Sequence, residues 1–277
     1  RGELGTLLAV DRASVWRSPP LRRGLLILAV LPVSAAVIAS LPWSSIALLD
    51  GVQVLAERDL VGVNPGEAVV DTIDTLVGEV GVPRAEIAGI DVGVGPGPYT
   101  STRVGVAIAR TLGFALDIEV VGVCSHDAVA AEVAAQDGIV GEEFIVATDA
   151  RRSEIYWARY SPAGVRVWGP TVGKPATVAE QTATALWFGN GLDRHPAVVQ
   201  EHELKVNEPT HPRARWISSV AAHARDAGAS VPTAQPGLAD HESGVEVGVD
   251  AGQMLFAAYP LYLRRPDAVP AAHLRST

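Results

Sequence analysis

The stretch Val92-Gly93-Val94-Gly95-Pro96-Gly97-Pro98-Tyr99-Thr100-Ser101-Thr102-Arg103-Val104-Gly105 decides how the rest of the chain is read. Its first part closes a nearly continuous apolar run from Ile87, which predicts a strand buried on both faces. The residues from Gly95 to Ser101 form turns, and helical spacing takes over from Thr102 to Leu116. A buried strand, a glycine-bearing turn and a helix start present free backbone N–H groups, which favour anions. Gly95, Pro96, Gly97, Thr100 and Arg103 are therefore the candidate anion-site residues, with Gly97 expected to supply a positive φ. The spacing matches neither the dinucleotide fingerprint nor a Walker loop, so a βα connection without a ligand is the competing reading.

Outward from this loop the elements alternate. Upstream, Ala68, Val69, Ile73, Leu76, Val77 and Val80 predict a helix over Glu67–Val80, which Gly81 stops. Further upstream, Ser45–Leu49, Asp50-Gly51 and Val52–Glu57 read as strand, tight turn and strand. Downstream come a strand at Glu119–Val123 and an Ala-rich helix to Ala135 that Ser125 is placed to cap. Strands at Glu143–Thr148 and Glu154–Tyr160 flank a charged turn, and another at Leu186–Phe188 ends in Gly189-Asn190-Gly191. Residues 201–248 are rich in Pro and Gly and poorly patterned, apart from a helix at Trp216–Ala227. The tail from Tyr259 to Pro266 reads as short and extended. Alternating strands and helices point to an α/β fold.

Composition narrows the function classes. The 277 residues are 48% hydrophobic and 19% charged, which excludes wholesale disorder. A net charge of -9 argues against a nucleic-acid clamp acting alone, because phosphates need a basic face. The single cysteine, Cys124, excludes an internal disulfide and a cysteine-based zinc cage, and fits a reducing, cytoplasmic setting. Residues 24–49 carry no charge until Asp50 and resemble a membrane anchor over 22–41. Pro32 and Pro42 interrupt that run, and Leu25–Leu31 has the length of a buried strand, so β-structure is the expected reading. Residues 1–23 read as a polar N-terminal extension.

Five blocks in order carry a family resemblance: the opening loop, Val121-Gly122-Val123-Cys124-Ser125 before a helix, Thr148-Asp149-Ala150-Arg151-Arg152-Ser153-Glu154-Ile155-Tyr156-Trp157-Ala158, Gly189-Asn190-Gly191, and Leu261-Tyr262-Leu263-Arg264. Over residues 25–266 the chain resembles the TsaB family of bacterial threonylcarbamoyladenosine tRNA modification. The resemblance implies an actin/Hsp70/sugar-kinase type of fold with two related α/β lobes and mixed sheets. Here these are 24–118 and 119–265, with 266–277 as a C-terminal tail. It further implies a non-catalytic subunit that binds and activates TsaD, the subunit transferring threonylcarbamoyl to adenosine 37 of tRNAs reading codons that start with A. A TsaE-type ATPase joins that complex, tRNA is met only through it, and a homodimer is a state left open for the subunit alone. No cofactor and no metal are expected.

Departures from the family pattern touch the nucleotide site. After Ile27-Leu28-Ala29-Val30, where the family has Asp-Thr, stand Leu31-Pro32-Val33-Ser34, and Leu31 cannot ligate a hard cation. Ser101 and Thr102 replace a glycine and an apolar residue. The catalytic relative's paired metal-binding histidines reduce to His126 alone, flanked four residues away by Gly122 and Ala130. These features count against the alternative enzyme readings, a nucleotide-dependent phosphotransferase or a metallopeptidase. Cys124 reads as a buried small residue, the cluster Asp149, Arg151, Arg152 and Glu154 as a solvated turn, and Tyr156, Trp157 and Tyr160 as packing.

The resemblance also places the partner surface on the first lobe's two helices. Val104, Ile108 and Leu112 make one stripe of the second helix, and Val106, Ala109 and Gly113 another. Small residues permit close helix approach, so Val106, Ala109 and Gly113, with Glu67, Val70, Asp74 and Val77 of the first helix, are expected to face the partner. Burial of both stripes within the chain is the competing reading.

Overall fold

The computed structural model describes residues 33–40, 43–136, 141–182, 186–231 and 255–263. In chain order these form β1 (Val33–Ser40), β2 (Trp43–Asp50), β3 (Gln53–Val61), α1 (Pro65–Val80), β4 (Ile87–Gly95), α2 (Tyr99–Leu116), β5 (Glu119–Cys124) and α3 (Ser125–Ala134). Then follow β6 (Phe144–Asp149), β7 (Ile155–Tyr160), β8 (Arg166–Gly173), α4 (Pro175–Gln181), β9 (Leu186–Phe188), α5 (Pro196–Glu201), β10 (Lys205–Asn207), α6 (Ala214–Asp226) and β11 (Leu255–Ala257).

Two mixed sheets result, one ordered β11-β5-β4-β1-β2-β3 and the other β10-β9-β6-β7-β8. The side-chain period of two explains how the first sheet is covered on both faces. On β2, Ile46 and Leu48 join the core beneath α1 and α2, whereas Ala47 and Leu49 pack with Ala214 of α6. Ile217 and Ala221 of α6 continue that second layer against Val121 and Val123 of β5. A buried carboxylate fixes α6 in place: Asp91 of β4 accepts from Ser218 Oγ and Arg225 Nη2, both at 2.6 Å.

Several expectations need correction. The strand expected at Ile27–Val30, the anchor-like residues 22–32 and Leu31 itself lie outside the described residues. The first described strand is β1, parallel to β4 and antiparallel to β2, with Val33, Ala35 and Val37 buried. Residues 33–40 are therefore β-structure, and no helix among the described residues is long and apolar enough to cross a membrane. The change of sheet falls after Cys124 rather than at residue 118, because β5 pairs with β4 and the chain later returns to the first sheet through β11. Helix α2 starts a turn early, with the Thr102 amide donating to the Pro98 carbonyl. Helix α1 starts at Pro65, where Asn64 accepts from the Gly66 amide at 3.1 Å and the missing proline N–H costs nothing. Strand β8 is not among the elements expected from the sequence, and at a sheet edge its Pro170 removes no ladder bond.

Candidate functional site

The two sheets meet at a cleft of about 640 Å³. One wall is the loop after β4, represented by Pro96, Gly97 and Pro98, together with Gly62. The other is built from the end of β6 and the turn after it (Thr148, Asp149, Arg151), the Gly189-Asn190-Gly191 loop and residues 210–212. The motifs quoted above thus converge from both sheets.

The loop does this differently from expectation. Gly95, at φ 105°, holds the left-handed position that Gly97 was expected to supply. Its amide donates to Ser125 Oγ at 3.2 Å, so Ser125 anchors the loop instead of capping α3. Thr100 and Arg103 do not line the cleft. Arg103 folds back over Tyr99, 4.9 Å from the ring centroid, and donates to its hydroxyl at 3.0 Å. Replacing Gly95 by Ala is expected to cost about 1–2 kcal/mol through the left-handed backbone, and Gly97→Ala clearly less. Paired melting curves check the order.

Across the cleft a polar chain fixes the second wall. The Asp149 amide donates to Asn190 Oδ1 at 3.2 Å, and Asn190 Nδ2 lies 3.3 Å from His211 Nε2. His211 is further held by Thr210 Oγ1 at 2.8 Å and by stacking on Trp43, with ring centroids 4.9 Å apart. Burial lowers the His211 pKa, against the pull of Asp193 and Glu208. That leaves a neutral ring, with Nδ1–H donating to Thr210 and Nε2 accepting from Asn190. The cations of the cleft are committed: Asp149 Oδ2 lies 3.3 Å from Arg151 Nη1 and 3.8 Å from Arg194 Nε. Arg151, Arg152 and Ser153 follow at φ 62°, 56° and 60°, a left-handed turn that the Asp149 carboxylate steadies by accepting the Arg151 amide at 2.7 Å.

Beneath the cleft lie two residues whose chemistry the sequence raised. His126 is fully buried and its Nε2 meets Thr148 Oγ1 at 2.8 Å. Burial, with the nearby Arg166 guanidinium, pushes its pKa down to about 3. A neutral folded histidine binds its proton less readily than the unfolded chain, so stability falls as pH drops from about 6.5 towards 3. His126→Gln is expected to flatten that part of the stability–pH curve, as denaturant titrations at stepped pH will show. Cys124 is also fully buried, and burial pushes its thiol up to about 12. It should resist thiol reagents in the native protein and react only on unfolding.

The helices expected to face a partner are turned differently from the expectation. Val106 and Ala109 belong to the core beneath α2, Ala109 with no exposed surface, and Gly113 abuts β5 so closely that a Cβ there would overlap Val120. Val77 is buried likewise. The sheet demands the stripe with the smallest residues, because it lets α2 settle close upon it. The outward surface of the pair comprises Glu67 and Val70 of α1, the latter 39% exposed, with Asp74 half-buried and ion-paired to Arg84. From α2 it takes Ala107 and the half-buried Val104 and Ile108.

Comparisons with known proteins agree with these blocks. A family profile described as TsaD, tRNA N6-adenosine threonylcarbamoyltransferase, matches residues 64–206, just over half of the chain. An uncharacterized protein of Mycobacterium tuberculosis is 32% identical over 220 residues, 79% of this chain and 84% of that protein. The tRNA threonylcarbamoyladenosine biosynthesis protein TsaB of Bacillus subtilis is 33% identical over 116 residues, 42% of this chain and 49% of its own length. Among solved structures, YeaZ from Pseudomonas aeruginosa superposes with a TM-score of 0.61 at 23% identity, covering 83% of this chain and 99% of its own. The last likeness shows the shared fold.

Proposed function

We propose, on the premise that this chain belongs to the TsaB family within the TsaD-like group, that it serves tRNA threonylcarbamoyladenosine biosynthesis as the non-catalytic partner of a TsaD-type subunit. The observation that carries the reading is the outward ridge of α1 and α2, where Val70, Val104, Ala107 and Ile108 leave apolar surface between charged flanks. Such a mixture suits a helix pair that packs against another helix pair. The candidate nucleophile Cys124 and candidate ligand His126 are both sealed in the core, which supports a subunit without transferase, ATPase or peptidase chemistry of its own. A TsaE-type ATPase and tRNA would then be met through the complex.

The test is calorimetric titration with the TsaD-type subunit of the same organism. Ala107→Arg and Val70→Arg are expected to weaken binding at least tenfold with the melting temperature unchanged, since exposed substitutions cost within about 0.5 kcal/mol. Ala109→Arg should instead collapse the fold. Undisturbed binding in both surface variants would remove the ridge from the interface.

A further inference from the structure

Thr148 and Thr210 line the cleft, and each hydroxyl meets a histidine nitrogen at 2.8 Å. The histidines decide which way those bonds run. Asn190 Nδ2 can only donate, so His211 Nε2 accepts from it and the ring proton sits on Nδ1. Thr210 Oγ1 therefore accepts, and its own hydrogen is unspent. His126 Nδ1 is sealed in the core without a partner. A buried unpaired N–H is the rarer and costlier orphan, so the His126 proton sits on Nε2 and Nδ1 stays bare. Thr148 Oγ1 accepts in its turn, and its hydrogen is also left for the cleft. Among the described residues, neither hydroxyl meets an acceptor.

The charges beside these hydroxyls are unevenly paired. Arg151 and Arg194 share the one carboxylate of Asp149, which leaves positive charge over. Asp193 lines the same cleft, is exposed, and has no ion pair among the described residues. It lies near enough to His211 to pull on that ring's proton.

We propose that the cleft binds the head group of a free α-amino acid, its carboxylate on Thr148 and Thr210 and its ammonium on Asp193. Each end of the ligand answers a group that the protein leaves unspent. Hydroxyls donating to a carboxylate make short, charge-assisted bonds, and the surplus arginine charge adds to them. Asp193 takes an ammonium, which a purely anionic ligand does not offer. A phosphate fits less well on two counts. It would meet Asp193 with like charge, and the opposite wall supplies few amides to cradle it, because Pro96 and Pro98 flank Gly97 and carry no N–H.

Calorimetric titration of the full chain with the common L-amino acids, one at a time, tests this. At least one is expected to bind at millimolar concentration or below. Its N-acetylated form, without the ammonium, and its amide, without the carboxylate, should each bind at least tenfold more weakly, the loss of one charge-assisted bond. Asp193→Asn should weaken binding to the same degree with the melting temperature unchanged, since the side chain is exposed. Thr210→Val should weaken it too, and Thr210→Ser, which keeps the hydroxyl, should retain it. Ala107→Arg on the ridge should leave binding intact, which separates the cleft from the partner surface. The proposal is overturned by a chain that binds no amino acid, or by full affinity in Asp193→Asn or Thr210→Val. Inorganic phosphate or the N-acetylated form binding as tightly as the free amino acid would overturn it as well, and would make the cleft a plain anion site.

Discussion

Arg166→Met is expected to lower the unfolding free energy by about 3–5 kcal/mol, the cost of leaving a buried charge without its partner. The Arg166 side chain is 2% exposed, with Nε 3.1 Å from Asp127 Oδ1 and Nη1 donating to the Gly169 carbonyl at 3.2 Å. Asp127 accepts in addition from the Tyr160 hydroxyl at 2.6 Å. Burial pushes the Asp127 carboxyl up, and Arg166 with Tyr160 holds it down, so removing the guanidinium leaves desolvation unopposed. The group is also a crossing point. Asp127 stands on α3, Tyr160 and Arg166 belong to β7 and β8 of the second sheet, and Arg166 lies 5.8 Å from the Phe256 ring centroid on β11 of the first. Loosening it should therefore loosen both sheets at once and lower Tm by roughly 10 °C. The triple variant Arg166→Met, Asp127→Leu and Tyr160→Phe is expected to regain most of the loss, since it removes every polar partner of the buried group together and leaves no hydroxyl stranded. Denaturant unfolding of both variants decides it. A single variant costing no more than an exposed pair, about 1 kcal/mol, would show that the bridge does not join the sheets.

None of that bridge was legible in the sequence. Tyr160 and Arg166 lie 33 and 39 residues beyond Asp127 in the sequence, and no local pattern marks a long-range buried pair. What could be read was what local chemistry determines. Helix α1 with its Gly81 stop, the hairpin at Asp50-Gly51 and the buried strand β4 all follow from periodicity and turn residues, and all are present. Strand β11 pairs over three residues only, and such short edges take their structure from the neighbour they meet. The α2 stripe expected to face the partner is buried for a related reason. Val106, Ala109 and Gly113 and the stripe of Val104, Ile108 and Leu112 are both apolar, and periodicity cannot say which one the sheet claims. The position of β5 decides it, since Val120 lies where any side chain at 113 would stand.

Gly189→Ala is expected to cost about 3 kcal/mol or more, and to act on the cleft as well as on stability. At φ 90° the backbone is left-handed, and a Cβ there would overlap the carbonyl oxygen of Ala147 in the adjacent strand β6. That carbonyl is already used: it accepts from the Gly191 amide at 3.0 Å, which clamps the loop against β6. Neither atom can retreat without opening the pairing of β6 and β9, and sheet backbone yields less readily than a side chain tip. Asn190 sits between the two glycines and carries the bond to the Asp149 amide, so displacing the loop should release His211 and the turn at Arg151 together. Gly228→Ala separates the two causes. Gly228 has φ 80° but open space around its Cα, so alanine there meets only the backbone penalty of about 1 kcal/mol. A loss at 189 well beyond that at 228, accompanied by a shifted His211 resonance, identifies the close approach to Ala147 as the reason for Gly-Asn-Gly. Equal losses at the two positions would reduce the motif to a conformational preference and leave the second wall of the cleft to be held by its side chains alone.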